Sequence, residues 1–306
     1  MTVRMFRGKD CLHHDVGHDH PESPDRLYAI DDQLLASGLE MTCHHADAKP
    51  CKKEHLVLAH DPYYVDSIFE RSPKTGLVWV EDDTGMTPIT LSAALYAAGA
   101  GIDAVDWVMD GEDRQAFCAV RPPGHHAEYA SAMGFCLFNN IAVAAAHALD
   151  AHGLERVAIV DFDVHHGNGT EDIFRSEPRV LFCSSFQHPF YPFTGHEKET
   201  DNLVDIPLSA GAGSKEFRAG VEDHWLPHLE TFEPQMLFIS AGFDAHVADD
   251  MSSLQLTDDD YEWVTKALVG VATRHCKGRI VSMLEGGYEP GVLARSGVRH
   301  LNVLLG

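Results

Sequence analysis

Aspartate and histidine residues cluster directly after an apolar run near the middle of the chain. The run at residues 156–160 predicts a buried strand, and Asp161, Asp163 and His165 follow it at alternating positions. Because a strand directs alternate side chains to one face, these three point the same way as the chain leaves the sheet. Carboxylates and an imidazole on one face are typical ligands of a divalent cation such as zinc. The alternative is a hydrogen-bonded aspartate–histidine network beneath a loop.

Five apolar runs rich in valine, isoleucine, leucine and phenylalanine alternate with helical patterns along the chain. This alternation is typical of a largely parallel central sheet flanked by helices, so we predict an α/β fold. Ligands of such sheets bind beyond the carboxyl ends of the strands. Polar residues able to do chemistry follow every run, and we expect one shared site there. The predicted strands span residues 116–120, 157–162, 180–184, 236–241 and 280–284.

Capping residues mark the starts of the helices between these strands. Thr87, which precedes a proline, predicts the start of an alanine-rich helix. Thr257 and Asp260 have the spacing of a capping box. The predicted helices span residues 23–37, 87–108, 139–152 and 257–276.

Length and charge favour one domain over residues 1–306 and exclude several partners. The formal net charge of −24 disfavours nucleic acid and anionic membranes. A solvated acidic surface adapted to high salt explains this charge, and steering of a cationic substrate is the alternative. No apolar run approaches the roughly 20 residues that cross a bilayer. Because the seven cysteines also lack close paired spacing, we expect a cytoplasmic protein.

Four motifs resemble those of the zinc-dependent histone deacetylases, in particular the class II branch and the bacterial acetylpolyamine amidohydrolases. They lie at residues 20–26, 121–127, 161–169 and 284–288, so the resemblance covers nearly the whole chain. The resemblance implies an arginase/deacetylase-like α/β fold. It also implies hydrolysis of an N-acetyl amide on a primary amine, which gives acetate and a free amine.

The resemblance implies that Asp163, His165 and Asp249 are the zinc ligands. We prefer Asp249 to Asp250 because of its spacing back to Asp244 and forward to residues 256–257. Zinc with three protein ligands keeps an open position for a reacting water. Iron(II) in place of zinc stays open at this point.

The resemblance also assigns the residues that move protons and polarise the amide. His126 is the expected general base, His125 is its companion, and Tyr288 is the hydroxyl that polarises the carbonyl. Asp161 would favour the charged form of His125, whereas Asn168, a neutral amide, would leave His126 easier to deprotonate.

A structural potassium ion is a second expected cofactor, as it is in the family. Its expected ligands are the side chains of Asp161, Asp163 and Ser184, with backbone carbonyls near His165 and Ser185. Such an ion would help to neutralise the carboxylates without competing for zinc.

An extended acetylated amine needs a narrow apolar tunnel. Gly134-Phe135 and Phe190-Tyr191 match the paired aromatic walls of the family, although an aromatic residue after a strand is also common in cores. Gly286 and Gly287 free the backbone to approach the ligand and aim Tyr288.

Two charged residues have two interpretations each. Arg26 lines the inner cavity where acetate leaves, or it forms a structural salt bridge. Asp83 presents a rim carboxylate to the amine, or it caps a turn. The remaining histidine pairs fall in polar segments, where we expect solvated loops; they are His13-His14, His18 with His20, and His44-His45.

The leading hypothesis is a zinc amidohydrolase that acts on small cationic acetylamines such as acetylcadaverine and acetylputrescine. Deacetylation of acetyl-lysine in proteins is the alternative within the same chemistry. A catalytically silent metal-binding scaffold and a manganese hydrolase of the arginase type are less favoured. A homodimer is plausible from related bacterial enzymes.

Overall fold

A computed structural model describes residues 3–18, 20–111, 114–195 and 200–306. Its centre is an eight-stranded sheet in the order β2-β1-β5-β10-β9-β6-β7-β8, in which every neighbouring pair is parallel. The strands are β1 (Val3–Arg7), β2 (His44–Asp47), β5 (Gln115–Ala119), β6 (Val157–Asp161), β7 (Val180–Gln187), β8 (Leu203–Leu208), β9 (Met236–Ala241) and β10 (Ile280–Leu284), with β3 (Val78–Trp79) and β4 (Gly85–Met86) in a separate antiparallel pair.

Helices cover the sheet and bury its apolar strands, which confirms the predicted α/β class. The helices are α1 (Asp25–Ser37), α2 (Lys53–Leu56), α3 (Pro62–Arg71), α4 (Thr90–Asp110), α5 (Asn140–Asp150), α6 (Asn168–Phe174), α7 (Ser214–Gly220), α8 (Leu226–Phe232), α9 (Asp258–His275) and α10 (Pro290–Leu305). A short 3₁₀ turn at Leu39–Met41 and a π-helical turn at Val221–Trp225 complete the helical segments of the described residues.

The five predicted strands form the five adjacent central strands of the sheet, β5, β10, β9, β6 and β7. Their residues are buried on both faces, which is why they appear in the sequence as continuous apolar runs. The outer strands β1, β2 and β8 were not predicted. Each contains charged or exposed residues that interrupt the apolar pattern.

The predicted helix starts are confirmed at two positions and wrong at a third. Asn139 caps α5 by accepting a hydrogen bond from the amide of Ala142, and Thr257 forms the predicted capping box with Asp260. Helix α4, however, begins at Thr90, and its hydroxyl accepts a hydrogen bond from the amide of Thr87. Within the described residues, no helix is both long and apolar enough to cross a bilayer.

Candidate active site

The loops that follow β5, β6, β9 and β10 meet at one edge of the sheet. These strands are neighbours and parallel, so their carboxyl ends lie side by side. The loops bring together His125 and His126, the segment 161–165, Asp244, and the segment 285–288. His126 and His165 are 4% and 7% exposed, and the other buried members are at most 2% exposed: His125, Asp161, Asp163, Asp244 and Glu285.

Asp163, His165 and Asp244 form a compact metal-binding group, which we call the active-site triad. His165 Nδ1 lies 3.0 Å from Asp163 Oδ1 and 3.3 Å from Asp244 Oδ2. One ligand atom from each residue lies within 4.8 Å of the others. Asp244 Oδ2 is buried and has no hydrogen-bond partner among the described residues. A buried carboxylate oxygen in this state fits a divalent cation, so the site fits zinc.

Asp249 as the third metal ligand stays a prediction, and its carboxylate also accepts hydrogen bonds from backbone amides of two loops. Asp249 Oδ2 accepts hydrogen bonds from the amides of Tyr288 (2.6 Å) and Glu289 (3.0 Å), and Oδ1 accepts one from Met251 (3.0 Å). Asp249 therefore holds the loop that carries Tyr288. The signal for Asp244 was its position just after β9, at the same sheet edge as Asp163.

His125 and His126 have the predicted partners. His125 Nδ1 lies 2.8 Å from Asp161 Oδ2, and His126 Nδ1 lies 2.7 Å from Asn168 Oδ1. The Asn168 amide nitrogen donates to Glu128 Oε1 at 2.8 Å, which orients its oxygen toward His126. His126 Nδ1 therefore carries the hydrogen, and its Nε2 is free to accept a proton.

The two imidazoles differ in pKa for physical reasons. Burial opposes the charged form of His125, but the Asp161 and Asp163 carboxylates raise its pKa well above the usual value. Burial lowers the pKa of His126, and the positive charges of His125 and His165 lower it further. His126 is thus neutral at neutral pH. The role of His126 as general base stays a prediction.

The glycines before Tyr288 are required by close contacts. Gly286 donates its amide hydrogen to Asp163 Oδ2 at 2.7 Å, and a Cβ there would lie 2.0 Å from Asp244 Oδ2. Gly287 has φ +116°, which L side chains rarely adopt. Any other residue at these positions would displace the triad or the loop.

Arg26 supports this loop from behind and does not line the tunnel cavity. Its guanidinium donates to the carbonyls of Gly287 (2.7 Å) and Glu285, pairs with Glu22 at 3.1 Å, and lies 5.0 Å from the centre of the Tyr288 ring. The predicted structural salt bridge is therefore present, and the place of Arg26 at an inner cavity for acetate stays a prediction.

Sequence reasoning missed the buried carboxylates behind the loop. Glu22 Oε2 accepts from Arg121 at 2.7 Å and lies 3.4 Å from His14 Nε2, so the prediction of a solvated His14 is wrong. Glu285 Oε2 accepts from the amides of Gly124 (2.7 Å) and His125 (3.1 Å). Both residues lie within the motifs at residues 20–26 and 284–288, and for Glu285 its position directly after β10 was the available signal.

A cavity of about 220 Å³ leads from the surface to the active-site triad. Phe190 stacks on His165 with ring centres 5.5 Å apart, and Tyr191 meets His126 edge-on at 5.3 Å. Asp83 joins the two walls, since it accepts from the Gly134 amide (3.0 Å) and the Tyr191 hydroxyl (2.9 Å). The cavity is lined by Asp83, His126, Gly134, Phe135, His165, Phe190, Tyr191, Met251 and Tyr288.

The residues predicted to hold potassium lie behind the active-site triad. Ser184 pairs with Asp161 in the register of β6 and β7, and its buried hydroxyl oxygen has no hydrogen-bond partner among the described residues. Ser185 is buried next to it. An orphaned hydroxyl beside buried carboxylates fits a monovalent cation, and its identity stays a prediction.

The other predicted histidine loops have mixed outcomes. His13 and His18 are exposed, as expected. His20 contacts Phe135 edge-on with ring centres 4.6 Å apart, so it lies against the tunnel wall. His44 and His45 belong to strand β2 instead of a loop.

An all-parallel sheet with this site at its carboxyl edge defines the arginase/deacetylase class of α/β hydrolases. The family model described as Histone deacetylase domain matches residues 20–304. The chain therefore belongs to the histone deacetylase family and is a deacetylase-type hydrolase.

Three known proteins illustrate this relationship. The chain is 35% identical to the histone deacetylase-like amidohydrolase of Pseudomonas aeruginosa, over 94% of this chain and 77% of that protein. It is 37% identical to the human polyamine deacetylase HDAC10, over 93% of this chain and 44% of that protein. The crystal structure of the HDA15 HD domain superposes with a TM-score of 0.92 at 35% identity, over 99% of this chain and 88% of that one.

Proposed function

We propose that the protein hydrolyses N-acetyl amides of primary amines and releases acetate, with small acetylpolyamines ahead of acetyl-lysine proteins. The observation that carries the proposal is the content of one cavity. His165 lines it together with neutral His126 and Tyr288, and Asp163 and Asp244 lie directly against His165.

Zinc bound by the active-site triad would polarise the acetyl carbonyl and lower the pKa of a bound water to about 7. His126 takes a proton from the attacking water and later delivers it to the leaving nitrogen. The Asn168 amide fixes the ring so that Nε2 faces the cavity. Burial raises the pKa of Tyr288 well above its usual value, so its hydroxyl stays protonated and donates to the carbonyl oxygen.

The surroundings of the tunnel support a substrate with a second positive charge. A cavity of about 260 Å³ lies next to the tunnel, shares Met251 and Tyr288 with it, and is lined by Asp249, Asp250 and Glu289. Asp250 is exposed, so its carboxylate is available to a remote ammonium group. The human relative named a polyamine deacetylase supports the same substrate class.

The proposal extends to ions, assembly and location. Zinc is the proposed catalytic ion, with iron(II) as the alternative, and potassium is the proposed structural ion beside Ser184. The proposed enzyme contains both ions and is cytoplasmic. It acts as a monomer or homodimer and has no nucleic acid or membrane partner.

The test compares kcat/KM for acetylcadaverine and acetylputrescine with that for an acetyl-lysine peptide. We expect higher values for the diamines, and Asp250→Asn should raise their KM roughly two- to fivefold at low salt. Asp172→Asn removes an exposed charge on α6 and is the matched control. A large preference for the peptide would reverse the substrate order. Absence of turnover on the peptide and on both acetylated diamines would contradict the proposed deacetylase activity.

A further inference from the structure

A second group of imidazole and carboxylate side chains lies at the C-terminal end of α5. His147 on α5 and His152 just beyond it each place Nε2 2.8 Å from the same oxygen, Oδ1 of Asp106 on α4. The two rings meet edge to face with centres 5.5 Å apart. One ligand atom from each residue lies within 4.8 Å of the others. We call these three residues the helix-end triad.

We propose that the helix-end triad binds one zinc ion that joins α4 to α5, in addition to the ion of the active site. Two imidazoles and one carboxylate are ordinary zinc ligands, and a water can take the fourth position. The side chains of Asp106, His147 and His152 are 48%, 11% and 19% exposed. An ion can therefore enter from solvent without opening the core.

Binding requires only small changes in position. The ligand atoms around tetrahedral zinc lie about 3.3 Å apart, so each nitrogen–oxygen separation must widen by roughly 0.5 Å. Each neutral imidazole only has to move its hydrogen from Nε2 to Nδ1. His55 lies beside His147 with ring centres 5.9 Å apart, but its Nδ1 accepts from the Lys52 amide and caps α2.

Charge also favours a cation at this place. Partial burial would raise the pKa of Asp106, but hydrogen bonds from His147 and His152 outweigh it and lower the pKa. The carboxylate is therefore ionised when zinc arrives. Asp103 and Asp110 on the same helix and Asp150 on α5 add negative charge close by in sequence.

A third group with similar donors differs in its charge balance. His166 Nε2 lies 2.8 Å from Glu171 Oε2 and 3.6 Å from Asp205 Oδ1. There the Arg175 guanidinium also bonds Glu171, so cationic side chains already balance the carboxylates. The helix-end triad has no such arginine among its described contacts, and this difference favours it as the second metal site.

The experiment is a calorimetric titration of ZnCl₂ into enzyme that already holds one zinc per chain. We expect one further zinc to bind and the thermal midpoint to rise with it. His152→Ala and Asp106→Asn should each weaken this second binding at least about tenfold, while acetylamine turnover stays unchanged. Metal analysis after dialysis against dilute zinc should give two ions per chain for the wild type and one for each variant.

His275→Ala is the matched control. His275 pairs with Glu230 at 2.8 Å and is 17% exposed, close to the exposure of His152, but it lacks a second imidazole partner in the described contacts. This variant should bind the second zinc as the wild type does. The proposal would be overturned if the wild type showed no second binding event. It would also be overturned if Asp106→Asn and His152→Ala bound the second zinc as tightly as the wild type does. Loss of deacetylation would not overturn the proposal, because zinc binding and turnover are measured separately.

Discussion

The active-site triad and the helix-end triad offer similar donor atoms in different surroundings. The active-site triad has two carboxylates and one imidazole and is nearly inaccessible to solvent, and its His165 lines a cavity together with His126 and Tyr288. The helix-end triad has one carboxylate and two imidazoles, and half of the Asp106 side chain is exposed. Ligand types alone therefore do not distinguish the two sites. Groups that move protons and stabilise an oxyanion decide whether the metal does chemistry.

The two regions also differ in what holds them. The active-site triad is anchored by backbone amides, since Gly286 donates to Asp163 and Val164 donates to Asp244 Oδ1 at 2.9 Å. The helix-end triad is held by hydrogen bonds between its own side chains, by the packing of α4 on α5 and by the contact of His147 with His55. Changes in the first region should affect catalysis strongly, and changes in the second should affect stability weakly.

The largest effect is expected for Asp244→Asn. Removing this charge from the active-site triad should strip the metal and lower kcat/KM roughly 1000-fold or more, because a catalytic metal contributes several kcal/mol. Asp249→Asn is the companion variant, because an amide oxygen can still accept from the Tyr288 and Glu289 amides, so metal loss in it would report on metal binding by Asp249. Metal analysis with steady-state kinetics checks both. Metal loss in Asp249→Asn with retention in Asp244→Asn would identify Asp249 as the ligand instead of Asp244.

Tyr288→Phe should have the next largest effect. It removes one donor to the developing oxyanion and should lower kcat by about 100- to 1000-fold with zinc still bound. Tyr191→Phe removes a tunnel hydroxyl that donates to Asp83 and should cost less than about tenfold. Single-turnover rates and metal content measure the contrast. Similar losses in both variants would mean that Tyr288 acts as a wall of the tunnel.

The residues that could be predicted from the sequence share one property, a position fixed by a buried strand. Asp161 ends β6, Asp163 and His165 follow it, and His125 follows β5. The expected pairing of His125 with Asp161 is present. Asp249 stays an untested prediction because its position depends on the path of a loop, which sequence spacing does not determine. Asp244, by contrast, follows β9 directly.

Contacts between residues distant in sequence were the least predictable. Glu22 pairs with Arg121 across 99 positions, and nothing local in either segment shows this. The outer strands β1, β2 and β8 were missed because each contains charged or exposed residues that interrupt the apolar pattern.

A smaller effect, on pH dependence, is expected for Asn168→Asp. A carboxylate beside His126 Nδ1 favours the charged imidazole and raises its pKa. The general base must be neutral to accept a proton. On acidification, the variant should therefore lose activity at a higher pH than the wild type does. The acid limb of the kcat/KM profile should move up by about one pH unit. Asp172→Asn, on the same helix but bonded to the Tyr129 amide, should leave this limb in place. A shift in the opposite direction would show that His126 is not the group that must lose its proton.

The smallest effect is expected for Asp106→Asn in chelator-treated protein, where only hydrogen bonds of the helix-end triad are lost. Exposed pairs of this kind contribute no more than about 1 kcal/mol, so urea unfolding should show a loss within that limit. Glu230→Gln weakens the pair between Glu230 and His275 and should lower the free energy of unfolding by a similarly small amount. Zinc reloaded into the active site should restore the same kcat/KM in both variants. A larger loss of activity in Asp106→Asn would mean that the two regions communicate through α5, whose cap Asn139 donates to the Ala127 carbonyl in the loop of His125 and His126.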